Sequence, residues 1–404
     1  MVEKHTSQNG VRIVLENVPE VRSVTIGIWV LAGSRNEGIH NNGISHFLEH
    51  MFFKGTKTRD ALEIAESFDA IGAQINAFTS KEYTCYFVRV LDTHKEYALE
   101  MLADMFFDSI FAEEEIKREK KVVYEEIKMY EDTPDDIVHD LLAKAAYGDH
   151  PLGYPILGTD ESLKEITREA LYTYKKERYT AENVVISVAG NVDNSFITVV
   201  EDHFERLKSQ SEQAVVEKPS FLTNDMERNK DAEQAHLTLG YNGLQLGDER
   251  SSSLIIMNNV LGGSMSSRLF QEVREKQGLA YTVFSYHSSF LDNGLLTIYA
   301  GTGKEQLPQL QDTINRTVEH FIANGLTDKE LKNSKEQLKS NMVLGLESTN
   351  SRMSRNGRNE LLLDRHRTVD EVIKDIDGVS HASIQEVIDM TFKQAATRAI
   401  IAPK

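Results

Sequence analysis

Cysteine is almost absent from this chain, which has 404 residues and a single thiol at Cys85. One thiol excludes an internal disulfide and any metal site built from several thiolates, so Cys85 is expected to be buried and inert. Apolar runs are short as well. The longest, VTIGIWVLAG at 24–33, falls below the roughly 18–20 residues of a membrane span and predicts a buried strand with Trp29 in the core. The stretch 1–21 lacks the apolar segment of a secretory signal, so a cytoplasmic protein without a membrane segment is predicted.

Basic residues are also scarce, since 45 Lys and Arg stand against 63 Asp and Glu and leave a net charge of -18. Phosphate binding needs a basic surface, so nucleic acid is excluded as the main partner. The acidic balance favours neutral or basic ligands. A hydrophobic fraction of 40% is ordinary for a globular protein, and the length predicts more than one folding unit.

The chain contains an internal repeat. The stretch FAEEEIKREKKVVYEEIKM at 111–129 matches LTDKELKNSKEQLKSNMVL at 326–344, 215 positions later, and the order of strands and helices around both is similar. We therefore predict an α+β protein of two homologous, pseudo-symmetric halves, each an antiparallel-rich mixed sheet flanked by helices. The halves are predicted at 1–212 and 233–404, joined by a polar, glycine-free linker at 213–232.

The stretch GISHFLEHMFF at 43–53 places three polar groups in an apolar run. On a helix, His46 and His50 lie one turn apart on the same face, with Glu49 beside them. Two imidazoles at this spacing suit Zn²⁺, and Glu49 would be a general base for metal-bound water. The order H-x-x-E-H is the inverzincin signature. On the motif alone, a structural pair of hydrogen-bonded histidines remains the alternative.

A catalytic zinc site needs a third protein ligand, and the helix predicted at 118–132 offers carboxylates. Glu119 and Glu126 are seven residues apart and share a helix face. At the repeat offset, Ser334 and Asn341 take their places, so acids at these positions are not needed to hold the helix. A solvated acidic helix face is the alternative for both glutamates.

HFLEH, together with a glutamate 76 positions after its second histidine, resembles the pitrilysin-type M16 metallopeptidase family. The similarity is closest to the bacterial branch that is like the mitochondrial processing peptidase, and it extends through nearly the whole chain. The resemblance implies one zinc ion per chain, with His46, His50 and Glu126 as ligands. It further implies Glu49 as the base and Glu119 as a group that supports the ligands from behind.

Two further stretches are similar to elements of that family. NAFTSKEYTCYF at 76–87 resembles the edge strand that receives an extended substrate, which implies Asn76, Ala77 and Phe78 as substrate-binding residues. An ordinary half-buried strand is the alternative here.

The second such stretch, REKQGLAY at 274–281, is similar to an Arg–Tyr element that reaches the zinc site from the other half. The resemblance implies that Arg274 holds a substrate carbonyl and that Tyr281 stabilises the oxyanion. A surface ion pair and a core tyrosine are the alternatives. The preceding LGGSMSSRLF resembles the family's glycine loop and lacks the phosphate-loop pattern.

The expected function is a zinc-dependent endopeptidase that hydrolyses unfolded peptides or presequence-like segments. The resemblance implies clam-shell dimers, and because the zinc motif and the Arg–Tyr element lie on one chain, a homodimer with two sites is expected. The net charge and the short apolar runs predict neither nucleic acid nor membrane as partner. Two alternatives remain open from the sequence. One is a non-catalytic structural or peptide-binding subunit of the same fold, and the other is a metal-dependent hydrolase of non-peptide substrates.

Overall fold

The computed structural model describes residues 2–209 and 216–404, which form eleven strands and fourteen α-helices. The strands are β1 (Val2–Thr6), β2 (Arg12–Asn17), β3 (Ser23–Val30), β4 (Gln74–Thr79), β5 (Thr84–Leu91), β6 (Val184–Gly190), β7 (Asp225–Lys230), β8 (Ala235–Asn242), β9 (Thr282–Ser289), β10 (Gly294–Thr302) and β11 (Thr397–Pro403). The helices are α1 (Ile44–Met51), α2 (Ala61–Asp69), α3 (Lys95–Asp108), α4 (Glu113–Glu131), α5 (Pro134–Tyr147), α6 (Asp160–Glu165), α7 (Arg168–Arg178), α8 (Ser195–Phe204), α9 (Ser251–Leu261), α10 (Leu307–Asn324), α11 (Asp328–Gly345), α12 (Thr349–Leu363), α13 (Val369–Gly378) and α14 (His381–Thr391).

The first compact unit contains the described residues of three segments, Met1–Lys128, Tyr154–Val216 and Gly345–His366. Its six-stranded sheet has the order β1-β2-β6-β3-β5-β4. Only the pair β2 and β6 is parallel among these strands, and the other pairs are antiparallel. Strands β3 and β6 are buried along almost their whole length because helices cover both faces of the sheet.

The second compact unit contains the described residues of Met129–Gly153, Glu217–Leu344 and Arg367–Lys404. Its five-stranded sheet has the order β7-β11-β8-β10-β9, again with one parallel pair, β7 and β11. This order repeats that of the first sheet without β1. The predicted fold class, two homologous mixed-sheet α+β halves, is therefore confirmed.

The predicted domain boundaries need two corrections. Helix α5, which precedes the predicted linker, belongs to the second unit, and α12, which follows it, belongs to the first. Residues 213–215 lie outside the described residues, and the rest of the predicted linker at 213–232 includes strand β7. The stretch has no apolar periodicity because β7 is an edge strand whose side chains are mostly exposed.

Helix α12 packs closely against the first sheet. A Cβ on Gly357 would lie 2.3 Å from Trp29 Nε1, and a Cβ on Gly27 would lie 2.3 Å from Met353 Sδ. The indole N–H of Trp29 donates a hydrogen bond to that same sulfur at 3.2 Å. The two glycines therefore let helix and strand approach each other more closely than side chains would allow.

The expectations for two single residues are confirmed, because Trp29 is 1% exposed and Cys85 is fully buried. Burial raises the pKa of the Cys85 thiol well above its ordinary value, as expected for an inert thiol. Among the helices of the described segments, none is both long and apolar enough to cross a bilayer.

Candidate metal centre

Helix α1 separates its apolar and polar residues onto different faces. Phe47, Leu48 and Met51 are fully buried in the core of the first unit, and they fix the helix against the sheet. His46 and His50 lie one turn apart on another face, which turns toward α4. The apolar residues of the motif thus anchor the helix, and the polar ones are left to form a site.

Three predicted ligands lie together. The Nε2 atoms of His46 and His50 are 3.2 Å apart, and Glu126 Oε1 lies 3.7 Å from the first of them. Glu126 Oε2 lies 3.6 Å from His50 Nε2. Ligand atoms about 2.1 Å from a tetrahedral Zn²⁺ stand about 3.4 Å from one another. In the described part of the chain these are the residues grouped closely enough to hold a metal ion.

The protonation state of His46 suits metal binding. Burial and the neighbouring His50 lower the pKa of His46 to about 3, which leaves a neutral imidazole with a free lone pair. Glu126 Oε2 is buried and has no hydrogen-bond partner among the described residues. A buried carboxylate oxygen without a donor is costly, and a cation between it and the imidazoles would satisfy it.

Glu119 lies behind His50. Its Oε1 accepts a hydrogen bond from His50 Nδ1 at 2.8 Å, and its Oε2 is 2.7 Å from Lys54 Nζ. The carboxyl is 4% exposed. Burial works against ionisation of Glu119, but the hydrogen bonds from His50 and Lys54 prevail and lower its pKa. Because Nδ1 donates to Glu119, the Nε2 lone pair of His50 turns toward the cluster.

Glu49 is held by a residue of β4. Its Oε2 accepts a hydrogen bond from Thr79 Oγ1 at 2.6 Å. Burial raises the pKa of Glu49, and the Thr79 hydrogen bond opposes that rise. A carboxylate with a raised pKa beside a metal site has the properties of a general base.

Known proteins match this chain along its whole length. The family description Insulinase (Peptidase family M16) matches residues 12–160, and Peptidase M16 inactive domain matches 165–338. A relative in Bacillus subtilis, named uncharacterized zinc protease YmxG, is 59% identical over 100% of this chain and 98% of its own length. The chain belongs to the M16 peptidase family. A further uncharacterized zinc protease, of Streptomyces coelicolor, is 40% identical over 100% of this chain and 90% of its own.

Solved structures share the M16 fold. A protease from Helicobacter pylori aligns with a TM-score of 0.93 at 24% identity, and the match covers 100% of this chain and 99% of the other. A protein of Pseudomonas fluorescens, described as a peptidase M16 inactive domain, also aligns with a TM-score of 0.93, at 21% identity. That match covers 100% of this chain and 98% of the other. At such low identity the likeness concerns the fold alone.

The predicted substrate strand of this M16 chain lies at the edge of the first sheet. Asn76, Ala77 and Phe78 are in β4, which pairs with β5 on one side only. The next residue of that strand, Thr79, is the one that binds Glu49. The resembling stretch 76–87 therefore comprises the edge strand and part of its inner neighbour β5.

The second M16 unit holds Arg274 and Tyr281 in direct contact. The guanidinium lies over the Tyr281 ring, 4.5 Å from its centroid, and Nη1 donates to the Tyr281 carbonyl at 3.0 Å. Tyr281 is 77% exposed, so it is not a core tyrosine. A π-helical turn at Phe270–Glu275 carries the arginine.

Thr79 and Lys54 contact residues of the site, but the sequence motifs did not indicate them. Thr79 reaches Glu49 through a tertiary contact that no fixed spacing indicates. Lys54 follows His50 by four residues, so the spacing that identified the histidines was a usable signal for it.

Proposed function

We propose that this M16 peptidase is a zinc-dependent endopeptidase acting on unfolded or presequence-like peptides, with one Zn²⁺ per chain. The observation that carries the proposal is the convergence of His46, His50 and Glu126 beside a separately held Glu49. Two imidazoles and one carboxylate leave a fourth position open, as catalytic zinc sites require.

The bound ion would act as a Lewis acid that polarises the scissile carbonyl and lowers the pKa of a water molecule. Glu49 takes the proton from the attacking water and delivers it to the departing amine. Thr79 holds the Glu49 carboxylate in place through its 2.6 Å hydrogen bond. Glu119 orients His50 and keeps its Nδ1 proton away from the ligand side.

The edge of β4 offers a place where a peptide substrate could bind. An extended chain can add to this edge through main-chain hydrogen bonds, with Asn76, Ala77 and Phe78 beside it. Because the same strand ends at Thr79, a peptide on the edge would run toward the Glu49 carboxylate. Main-chain recognition imposes little sequence preference, and the net charge of -18 favours basic peptides.

Arg274 and Tyr281 would take part in the same reaction. Arg274 would hold a substrate carbonyl, and the exposed phenol of Tyr281 would donate to the oxyanion. Because both elements are on one chain, we further propose a homodimer with two sites. Full activity in a species that light scattering shows to be a monomer would contradict the dimer.

Metal analysis combined with a cleavage assay tests the proposed reaction. Native protein is expected to contain one zinc ion per chain and to cleave an internally quenched basic peptide. Glu49→Gln should keep the metal and lose activity by about a hundredfold or more, because the base is removed and the ligands remain. Glu66→Gln, an exposed carboxyl of α2 in the same unit, is the matched control and should leave cleavage unchanged.

Two results would contradict the proposal. Equal cleavage by wild type and Glu49→Gln would remove Glu49 from the base role. Zinc bound in full but no cleavage of any peptide by wild type would favour the non-catalytic, peptide-binding subunit instead.

A further inference from the structure

The helix that carries the metal motif cannot provide its own amino-terminal cap. Its N-cap residue is Gly43, at a φ of 91°, and a Cβ there would lie 2.7 Å from the carbonyl oxygen of Leu157. Only glycine fits this position, so no side chain is available to accept from the first N–H groups of α1. An acceptor has to come from elsewhere in the chain.

Glu37 provides that acceptor from outside the helix. Its Oε2 accepts from the Gly43 backbone N–H at 2.7 Å, and its Oε1 accepts from that of Ser45 at 2.8 Å. The amide of Asn42 donates to Oε2 at 2.8 Å and also donates to the Pro155 carbonyl. Both carboxylate oxygens are thus used by N–H donors, which is the pattern of an ionised carboxylate.

The carboxyl of Glu37 is 3% exposed, so its placement is not an incidental surface contact. A buried carboxylate is costly unless its oxygens are satisfied. At this place it meets both the free N–H groups and the positive end of the helix dipole. Burial still raises the pKa of the Glu37 carboxyl, and these hydrogen bonds oppose that rise. They also fix the carboxyl to the first turn of α1.

The first turn of α1 leads directly to a metal ligand. The helix has eight residues, and His46 is its third, immediately after the Ser45 N–H that Glu37 holds. Ser45 Oγ is also hydrogen-bonded to Tyr174 OH at 2.7 Å. Because so short a helix has few internal hydrogen bonds, its first turn depends on these outside contacts.

We propose that Glu37 is a positioning residue for the metal centre, which fixes the first turn of α1 and thereby sets His46 against Glu126. This inference rests on the proposed zinc binding, but not on the peptidase reaction. Loss of the cap would allow the first turn to unwind and would move the His46 imidazole. Metal affinity is expected to fall, while the fold of the unit persists through the buried Phe47, Leu48 and Met51.

Competition with a chromogenic chelator measures the zinc affinity of purified protein without any peptide substrate. Glu37→Ala is expected to weaken zinc binding by about tenfold to a hundredfold, in the range found when groups behind metal ligands are removed. Glu37→Gln keeps one oxygen acceptor and turns an amide N–H₂ toward the backbone donors, so it should show a smaller loss. In the Co²⁺-substituted protein, Glu37→Ala should change the visible absorption band, which reports ligand geometry.

Asp60→Ala is the matched control. Asp60 caps α2 in the same unit by accepting from the Glu63 N–H, and that helix carries neither a proposed ligand nor a residue that holds the first turn of α1. Its loss should lower the thermal midpoint and leave zinc affinity within twofold. Far-UV circular dichroism establishes that each variant is folded, and Glu37→Gln replaces Glu37→Ala if the latter does not fold.

Three outcomes would overturn the inference. Zinc affinity within twofold of wild type in both folded Glu37 variants would show that the cap does not position His46. Equal losses of zinc affinity in Glu37→Ala and Asp60→Ala would show a general effect of stability. Absence of zinc binding by wild type would refute the proposed metal site as well, which distinguishes that failure from the other two.

Discussion

In the first unit α1 and α4 meet through an imidazole and a carboxylate, whereas in the second α9 and α11 meet through an amide and a hydroxyl. His50 Nδ1 donates to Glu119 at 2.8 Å, and Asn259 Nδ2 donates to Ser334 Oγ at 2.9 Å. Glu119 and Ser334 are both almost fully buried and occupy matching places in the repeat.

The second unit has the matching helix pair without the charged groups, so the fold does not need them. In each unit the two helices share one hydrogen-bonded polar pair, and in the second unit neutral groups form it with little desolvation cost. Charged groups at the same place are more expensive to bury. Their presence in one unit alone therefore indicates a function in that unit rather than a structural requirement.

The largest expected effect comes from giving α4 the residue found in α11. Asn341 occupies the place that matches Glu126, so Glu126→Asn should leave α4 intact and remove a ligand. Zinc affinity should fall by about a thousandfold or more, and peptide cleavage should be lost with it. Glu125→Asn is the control, because Glu125 pairs with Lys128 on the exposed face. If Glu126→Asn retained zinc, the difference between the two units at this place would not reflect metal binding.

A smaller loss is expected from Glu119→Ser, which installs the residue of the second unit behind His50. The shorter side chain should leave His50 Nδ1 and Lys54 without their partner. Zinc affinity, measured by chelator competition, should fall by about tenfold to a hundredfold. Glu114→Ser, on the exposed face of the same helix, should have no effect. An unchanged affinity in Glu119→Ser would mean that His50 needs no support.

Helix α12, which follows the predicted linker but belongs to the first unit, gives a prediction about stability. Gly357→Ala places a methyl group against the buried Trp29 ring and should destabilise the first unit by about 1–3 kcal/mol, less the small gain in helix propensity. Trp29 is the chain's one tryptophan, so its fluorescence during urea unfolding reports on this contact. Gly345→Ala, where a Cβ would meet nothing within 4 Å, should be neutral or slightly stabilising. Equal effects of both variants would argue against close packing of α12.

The smallest expected effect depends on pH and concerns the start of α11. Burial acts against ionisation of Glu330, but hydrogen bonds from Arg268 and Thr327 prevail and lower its pKa from the ordinary 4.5 to about 2. Such a group stabilises the fold above pH 4.5, and its contribution disappears as the pH falls toward 2. Glu330→Gln should therefore lower the free energy of unfolding by about 1–2 kcal/mol at pH 7 and by almost nothing near pH 2. Urea unfolding followed by circular dichroism measures both values.

Glu115→Gln is the control for that experiment. Glu115 takes the matching place at the start of α4, where it pairs with the well exposed Arg118. Surface pairs of this kind contribute about 0–1 kcal/mol. If the loss of unfolding free energy in Glu330→Gln stayed constant between pH 7 and pH 2, the stabilisation would not come from the charge of Glu330.

The sequence predicted the features that local spacing encodes. The i, i+4 histidines and the i, i+7 glutamates follow from the period of a helix, and the repeat followed from the similarity of α4 to α11. The cap that Glu37 supplies and the hydrogen bond from Thr79 to Glu49 were not predicted, because each joins residues that come together only in the folded chain. Nor was the exchange of α5 and α12 predicted, since an amphipathic pattern shows that a face is buried and not which sheet covers it.

The place of α12 in the first unit has a consequence for synthesis on the ribosome. The last strand of the first sheet, β6, ends at Gly190, but the helix that covers the Trp29 face is α12, which ends at Leu363. At roughly 5–20 residues per second, the intervening chain takes roughly 10–35 s to emerge. For that interval the nascent unit exposes an apolar sheet face, which makes it a client for chaperones. The unit that carries His46 and His50 is therefore completed only after most of the second unit has been translated.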